Sequence, residues 1–332
     1  MGVMNVTMQQ KTKRKYWKWA VLLVLAIIAA IIVLNRAWIY DWFRGVTYRP
    51  TAEMVNIRDK LKLTGRGEFL FNATQPELNG VDDFNANCRQ DEGEVAVLGC
   101  YTAGNIYVYN ITDTKLDGIR ELTAAHELLH AVWVRMSNAE KEDLKPILQQ
   151  VYQNNLSVLK DDVETYADDE QLEEIFVRAG TEIKKLPDVL EKYYAEIFSN
   201  QDAVVDFYEK YIAVFREIKM KMEGLASEIE VLCDSINVKM AEYENKVSQL
   251  EADIARFNSC AETAGCFVTE AEFNVRRNAL VVREGELNLL NDEINNMIDD
   301  YNLKVDEYNA DALESRKLQN MINSKADIKE IK

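Results

Sequence analysis

The chain holds only two histidines, four residues apart, with a glutamate after the first: His126-Glu127-Leu128-Leu129-His130. On a helix, side chains four apart lie one turn above each other on the same face. Two imidazoles so placed can meet one metal ion. Glu127, turned about 100° from His126, can reach a water held at that ion. This is the H-E-x-x-H arrangement: two zinc ligands plus a carboxylate that takes a proton from the attacking water. The flanks carry no competing charge. Leu122, Leu128, Leu129, Val132 and Trp133 point in different directions round the helix, so it reads as buried. Buried imidazoles need partners, and a metal ion is one such partner.

These residues resemble the active-site helix of the zincin metallopeptidases. Zinc takes a third protein ligand. With no third His in the chain, the metzincin pattern is excluded, and the likeness is to the glutamate-zincin type. That resemblance implies a Glu from a downstream helix, and Glu174 in Glu173-Glu174-Ile175-Phe176-Val177-Arg178 is the candidate. It matches the Asn-Glu-x-x-Ser-Asp motif at the Glu alone. Glu173, Val177 and Arg178 stand where Asn, Ser and Asp would be. The run Arg178-Ala179-Gly180-Thr181-Glu182 is similar to one in uncharacterised bacterial H-E-x-x-H proteins, which also places the ligand at Glu174. A rival is Glu164, in Glu164-Thr165-Tyr166-Ala167-Asp168, which resembles another branch's Glu-x-x-Ala-Asp motif. The apolar stripe Leu172, Phe176, Ala179 and Ile183 puts Glu174 on the opposite face, about 200° from Leu172, which speaks for a solvated charge. A second oxyanion donor is expected; Tyr166 is the phenol nearest the third-ligand region, and the sequence does not choose it over the other tyrosines.

The elements that must hold these groups are readable around them. Thr51–Leu63 carries Met54, Ile57 and Leu61 at helical spacing. Val95–Tyr101 and Asn105–Asn110 read as strands joined at Thr102-Ala103-Gly104. The resemblance implies that the edge of this hairpin receives an extended peptide by strand addition. Asp117 is the expected N-cap of the His helix, which ends near Met136. Ser137-Asn138-Ala139-Glu140 matches a capping box, and Pro187 fits N1 of a later helix. Asp161-Asp162 and Asp168-Asp169-Glu170 lack EF-hand spacing and read as solvated turns rather than calcium ligands.

Beyond about residue 216 periodicity replaces chemistry. Ile218, Met222, Leu225, Ile229, Leu232 and Ile236 form a heptad seam. After one extra step of four it resumes at Met240, Tyr243, Val247, Leu250, Ile254 and Phe257, a stutter. A second seam runs through Leu280, Leu287, Leu290, Ile294, Met297 and Tyr301. Two seams around a loop predict an antiparallel coiled-coil hairpin, pinned at its tip by Cys260–Cys266. Cys88 and Cys100 form another expected pair, leaving Cys233 free.

Net charge is −17, with 56 acidic and 39 basic residues. The first 18 residues hold five bases and no acid, so the rest is more acidic still, which excludes nucleic acid as a partner. Trp19–Leu34 is unbroken apolar sequence with aromatics on both sides. It reads as an uncleaved membrane span, with the basic tail in the cytoplasm and the bulk exported. An oxidising exterior suits the paired cysteines.

The expected fold is α+β. A basic tail (1–18) precedes a transmembrane anchor (19–43). A mostly helical zincin-like domain with a small hairpin follows (44–215), then the coiled-coil hairpin (216–332). The expected activity is peptide-bond hydrolysis with Zn²⁺ on His126, His130 and Glu174 and with Glu127 as general base. The alternative is a tethered coiled-coil scaffold or self-associating interaction protein whose metal is structural.

Overall fold

The computed structural model describes residues 4–88, 97–167 and 170–324, with side chains from residue 17. Among them the chain begins with α1 (Met4–Leu34), α2 (Arg36–Thr47), α3 (Ala52–Lys60), α4 (Gly65–Ala73), β1 (Glu77–Asn79) and α5 (Val81–Asn87). The hairpin β2 (Gly99–Thr102) and β3 (Asn105–Tyr109) follows. Then come α6 (Ile119–Arg135), α7 (Asn138–Asn154), α8 (Leu156–Val163), α9 (Gln171–Glu182) and α10 (Asp188–Ala195). Two long helices close the chain, α11 (Gln201–Ala261) and α12 (Glu270–Ile322). The fold divides into two compact units. One runs to Ile212 and takes the chain back from Asn320; the other is Ala213–Gln319.

In the first unit α6 is the central element. Ala124, Ala125, Leu128, Leu129 and Ala131 are fully buried, as its all-round apolar sequence requires. α3 forms where expected: Thr51 caps it by accepting from the Met54 N–H, and Met54, Ile57 and Leu61 are buried. The capping box at Ser137 and Glu140 is formed. Pro187 is the N-cap of α10, one place earlier than expected.

The hairpin is confirmed, with a two-residue turn in which Ala103 and Gly104 both take positive φ. That turn matches the right-handed twist of the strands. Val95 and Ala96 lie outside the described residues, and the paired strand begins at Gly99. A third strand, β1, pairs parallel with β3 and gives the order β1-β3-β2. Three residues of Glu-Leu-Asn carry too little alternation for the sequence to show it. A Cys88–Cys100 disulfide ties the end of α5 to β2.

The apolar helical stretch is shorter than the 19–43 segment expected as an anchor. Trp17–Leu34 is the one stretch, among the described residues, long and apolar enough to be a membrane span or a signal sequence. The helix breaks at Asn35, whose side-chain amide donates to the Ile31 carbonyl at 2.8 Å. The aromatics beyond it therefore belong to a separate helix, α2, that docks on the domain.

In the second unit the two arms pair antiparallel. Lys221 meets Asp311, Glu228 meets Lys304 and Lys239 meets Glu293, each step up one arm matching an equal step down the other. Leu225, Ile236, Leu250, Leu287, Leu290 and Ile294 are buried in the seam. The expected stutter is absent. Met240 and Ile254 face solvent, 43% and 39% exposed, while Lys239 and Asp253 take the inward places. Met222, Ile229, Ile236, Tyr243, Leu250 and Phe257 thus recur every seven residues without interruption. Cys260 and Cys266 are bonded at the tip, beside a cluster of Phe257, Phe267 and Phe273, and Cys233 is free.

Candidate metal centre

α6 starts at Ile119 rather than on an Asp117 cap. Gly118 holds the N-cap place at φ +100°, a conformation glycine adopts at little cost. A side chain there would also meet the Phe207 ring at 3.1 Å. Asp117 instead accepts from Lys210 Nζ at 2.6 Å, which holds its carboxyl below the usual range. From this start the helix presents His126 and His130 on one face, with their Nε2 atoms 3.3 Å apart.

α9 supplies the carboxylate. It packs closely on α6 because Gly180 has no side chain: a Cβ there would lie 2.5 Å from Leu129 Cδ1 and 2.6 Å from Tyr194 Cε1. Tyr194 is itself fixed, donating its hydroxyl to the Phe176 carbonyl at 2.6 Å. The single-stripe reading of α9 fails here. The helix is covered on two sides, so Ile175, Val177 and Thr181 are buried along with Phe176 and Ala179. Glu174, placed by that reading in solvent, is 1% exposed. Its Oε2 lies 3.5 Å from His130 Nε2, and its Oε1 lies 3.8 Å from His126 Nε2.

A ligand atom from each of His126, His130 and Glu174 lies within 4.8 Å of the others, and the group can hold a metal ion. Two further observations fit an ion there. Tetrahedral bonds of about 2.0–2.1 Å set neighbouring donors about 3.3–3.4 Å apart; two of the separations, 3.3 and 3.5 Å, are close to that. Glu174 Oε2 is also buried with no hydrogen-bond partner, which is costly for a carboxylate oxygen unless a cation meets it. Glu164, the rival, is exposed and accepts a long bond from Tyr152, at 3.4 Å. Tyr166 is half-buried, and its carbonyl accepts from Gln171 Nε2 at 3.1 Å.

The supporting residues are those where the sequence departs from the glutamate-zincin motif. Glu173 Oε1 lies 2.7 Å from His130 Nδ1, so it orients the ring and leaves Nε2 facing His126 and Glu174. Arg178 Nε donates to Glu174 Oε1, leaving Oε2 for an ion. Arg178 is held in turn by Glu182 at 2.8 Å and Asp162 at 2.9 Å. Asp161 and Asp162 lie in the last turn of α8 rather than in a loop, and Asp162 is an ion-pair partner; Asp168 and Asp169 lie outside the described residues. The Glu174–Arg178 spacing of four was a visible signal for this pair.

Glu127 faces the edge strand. Gly99 lets β2 approach it: a Cβ there would fall 2.8 Å from Glu127 Oε1 and 2.5 Å from Thr123 Cγ2. The Tyr101 N–H donates to the Glu127 carboxylate, but burial dominates and pushes the Glu127 pKa up to about 7. Burial, helped by the charges of His130 and Arg178, drives His126 well below its ordinary value, towards the neutral form that binds metal. Burial works against a charged His130 as well, yet the Glu173 hydrogen bond and the nearby carboxylates outweigh it and lift it to about 9. A cation at this point would take the place of that proton.

Compared with known proteins, the chain matches no family model, no curated protein and no solved structure.

Proposed function

We propose that the protein is a membrane-anchored, zinc-dependent peptidase acting outside the cytoplasm. One observation carries the reading: three donor atoms lie within 4.8 Å of one another, and the residue after the first histidine is a buried carboxylate electrostatically coupled to His130 and Glu174. Two imidazoles and a carboxylate suit zinc better than oxygen-seeking calcium or magnesium. When bound, zinc would supply Lewis acidity to a carbonyl oxygen and lower the pKa of water.

The chain's own residues do the rest. Glu127, with an affinity for protons near neutrality, accepts one from the attacking water and returns it to the leaving amine. Arg178 and Glu173 keep Glu174 and His130 in place. β2 is the sheet edge nearest the site, and Leu98, Cys100 and Thr102 face β3. The Gly99 backbone and the Tyr101 carbonyl therefore face away from β3, where an extended peptide would pair, while the Tyr101 N–H is held by Glu127. The Cys88–Cys100 disulfide fits an oxidising compartment, and the basic tail before the apolar helix favours export of the bulk.

The test is metal analysis of the full chain purified without chelators, together with Glu127→Gln. The reading requires about one zinc per chain in both proteins and cleavage of unfolded polypeptide by the parent alone. A chain without zinc overturns it. Zinc in both with cleavage by neither assigns the metal a structural role in a tethered coiled-coil scaffold.

A further inference from the structure

α2 carries an apolar face that the protein leaves uncovered. At about 100° per residue, Trp38, Trp42, Val46, Ile39 and Phe43 follow one another round an arc of about 140°. All five are exposed, from 36% at Ile39 to 61% at Phe43. The opposite face does the docking. Arg135 grips Asp41 with two bonds, at 2.8 and 2.9 Å, and Asp41 is buried. Arg44 donates to the Ala73 carbonyl at 2.7 Å and to the Gly104 carbonyl at 3.2 Å. Apart from the Trp38 ring, which stacks on Phe69 at 6.4 Å, this helix is thus polar where it meets the protein and aromatic where it meets the surroundings, the reverse of a soluble surface helix.

We infer that α2 lies in the lipid–water interface, with this face among the headgroups and upper acyl chains. Two features name lipid as the occupant. α2 begins two residues after the apolar stretch that ends at Leu34, and its face four residues after, so wherever that stretch spans a bilayer, α2 starts at its surface. Its composition is Trp and Phe with aliphatics, the residues that sit at the headgroup boundary.

The docking joins this helix to both walls of the metal centre. Arg135 stands five residues, about 7.5 Å along the axis, beyond His130 on α6. The same guanidinium donates to the Tyr101 hydroxyl at 3.0 Å, and the Tyr101 N–H meets Glu127. The centre is therefore held close to the bilayer. If the peptidase reading is right, its substrates are segments lying just outside a membrane; the lipid contact itself does not depend on that reading.

The full chain carrying Cys233→Ser would be spin-labelled at Phe43→Cys or Val46→Cys, with Glu142→Cys as an exposed control on α7. Each would be reconstituted in vesicles of phosphatidylcholine and phosphatidylglycerol. Collision with oxygen reports lipid, and collision with a nickel chelate reports water. The inference requires labels at 43 and 46 to favour oxygen several-fold more than the label at 142. Equal nickel access at all three positions overturns it. Spin–spin broadening at 43 and 46 also overturns it, because a second copy would then cover the face. Shielding from both reagents without broadening overturns it in favour of another protein. Zinc content of the labelled proteins, read in parallel, reports on the metal centre independently.

Discussion

Replacing Arg178 with Met tests whether the buried cation organises the metal centre or merely fills space. Its contact with Asp162, which is 54% exposed, contributes about 0–1 kcal/mol. The other two partners are different: Glu174 and Glu182 are 1% and 6% exposed. Removing their shared countercharge leaves two carboxylates in the interior. Breaking one buried pair costs about 3–5 kcal/mol, a large part of the about 5–15 kcal/mol that holds a typical domain together. Hydrogen exchange along α6 and α9 should show protection falling by that amount. Zinc affinity, measured against a chromophoric chelator, should fall about 10–100-fold, because Glu174 loses the group that orients it. Adding Glu182→Gln to Arg178→Met removes one unpaired charge far from the ion. It should restore part of the stability and none of the affinity. If Arg178→Met lowers protection and leaves affinity unchanged, Arg178 is only structural and the reasoning about Glu174 is wrong.

Glu174→Ala should abolish stoichiometric zinc and Glu164→Ala should leave it intact; the opposite pattern in metal analysis would move the third ligand. Gly180→Ala gains about 1 kcal/mol of helix propensity but forces a methyl against Leu129 and the anchored Tyr194 ring. Overpacking costs about 1–3 kcal/mol, so a lower melting temperature is expected. Replacing Cys88 and Cys100 together by Ser releases a 12-residue separation and should cost about 3 kcal/mol, read as faster exchange at the Tyr101 amide. Lys221→Glu with Glu228→Lys sets like charges opposite Asp311 and Lys304. It should lower hairpin stability by about 1 kcal/mol, be reversed by adding Asp311→Lys and Lys304→Glu, and fade in high salt.

The convergence of the two histidines was legible because it rests on spacing alone. Two histidines four apart on a buried helix must converge, whatever surrounds them. The place of Glu174 beside the histidines was legible only by likeness, and the wheel argued against it. A helical wheel assumes one buried face, whereas α9 is covered on two sides and Glu174 lies between them. The supporting groups were hidden for another reason. Arg135–Asp41 joins residues 94 apart and Arg178–Asp162 joins residues 16 apart. Such contacts follow from tertiary packing, and no local pattern records them. Gly99 and Gly180 belong with these, since nothing in the sequence says which neighbour a glycine must admit.

The hairpin failed in the opposite way, through too literal a trust in apolar residues. Following hydrophobes from Ile236 leads to Met240 and suggests a stutter; following period seven leads to Lys239, and the structure takes that path. A lysine fits an inward place when its stem lies along the seam and its amine reaches out, here to Glu293 at 2.8 Å. Such positions cost stability but specify alignment. Sliding one arm by a heptad in one direction would set Glu228 against Asp311. Sliding it in the other would set Lys221 against Lys304. Each contact contributes little where it stands, yet both neighbouring registers meet repulsion, and the bonded tip at Cys260 and Cys266 opposes the slide as well. The polar residues that interrupt the apolar pattern are thus the ones that select a single pairing from among those the pattern would otherwise allow.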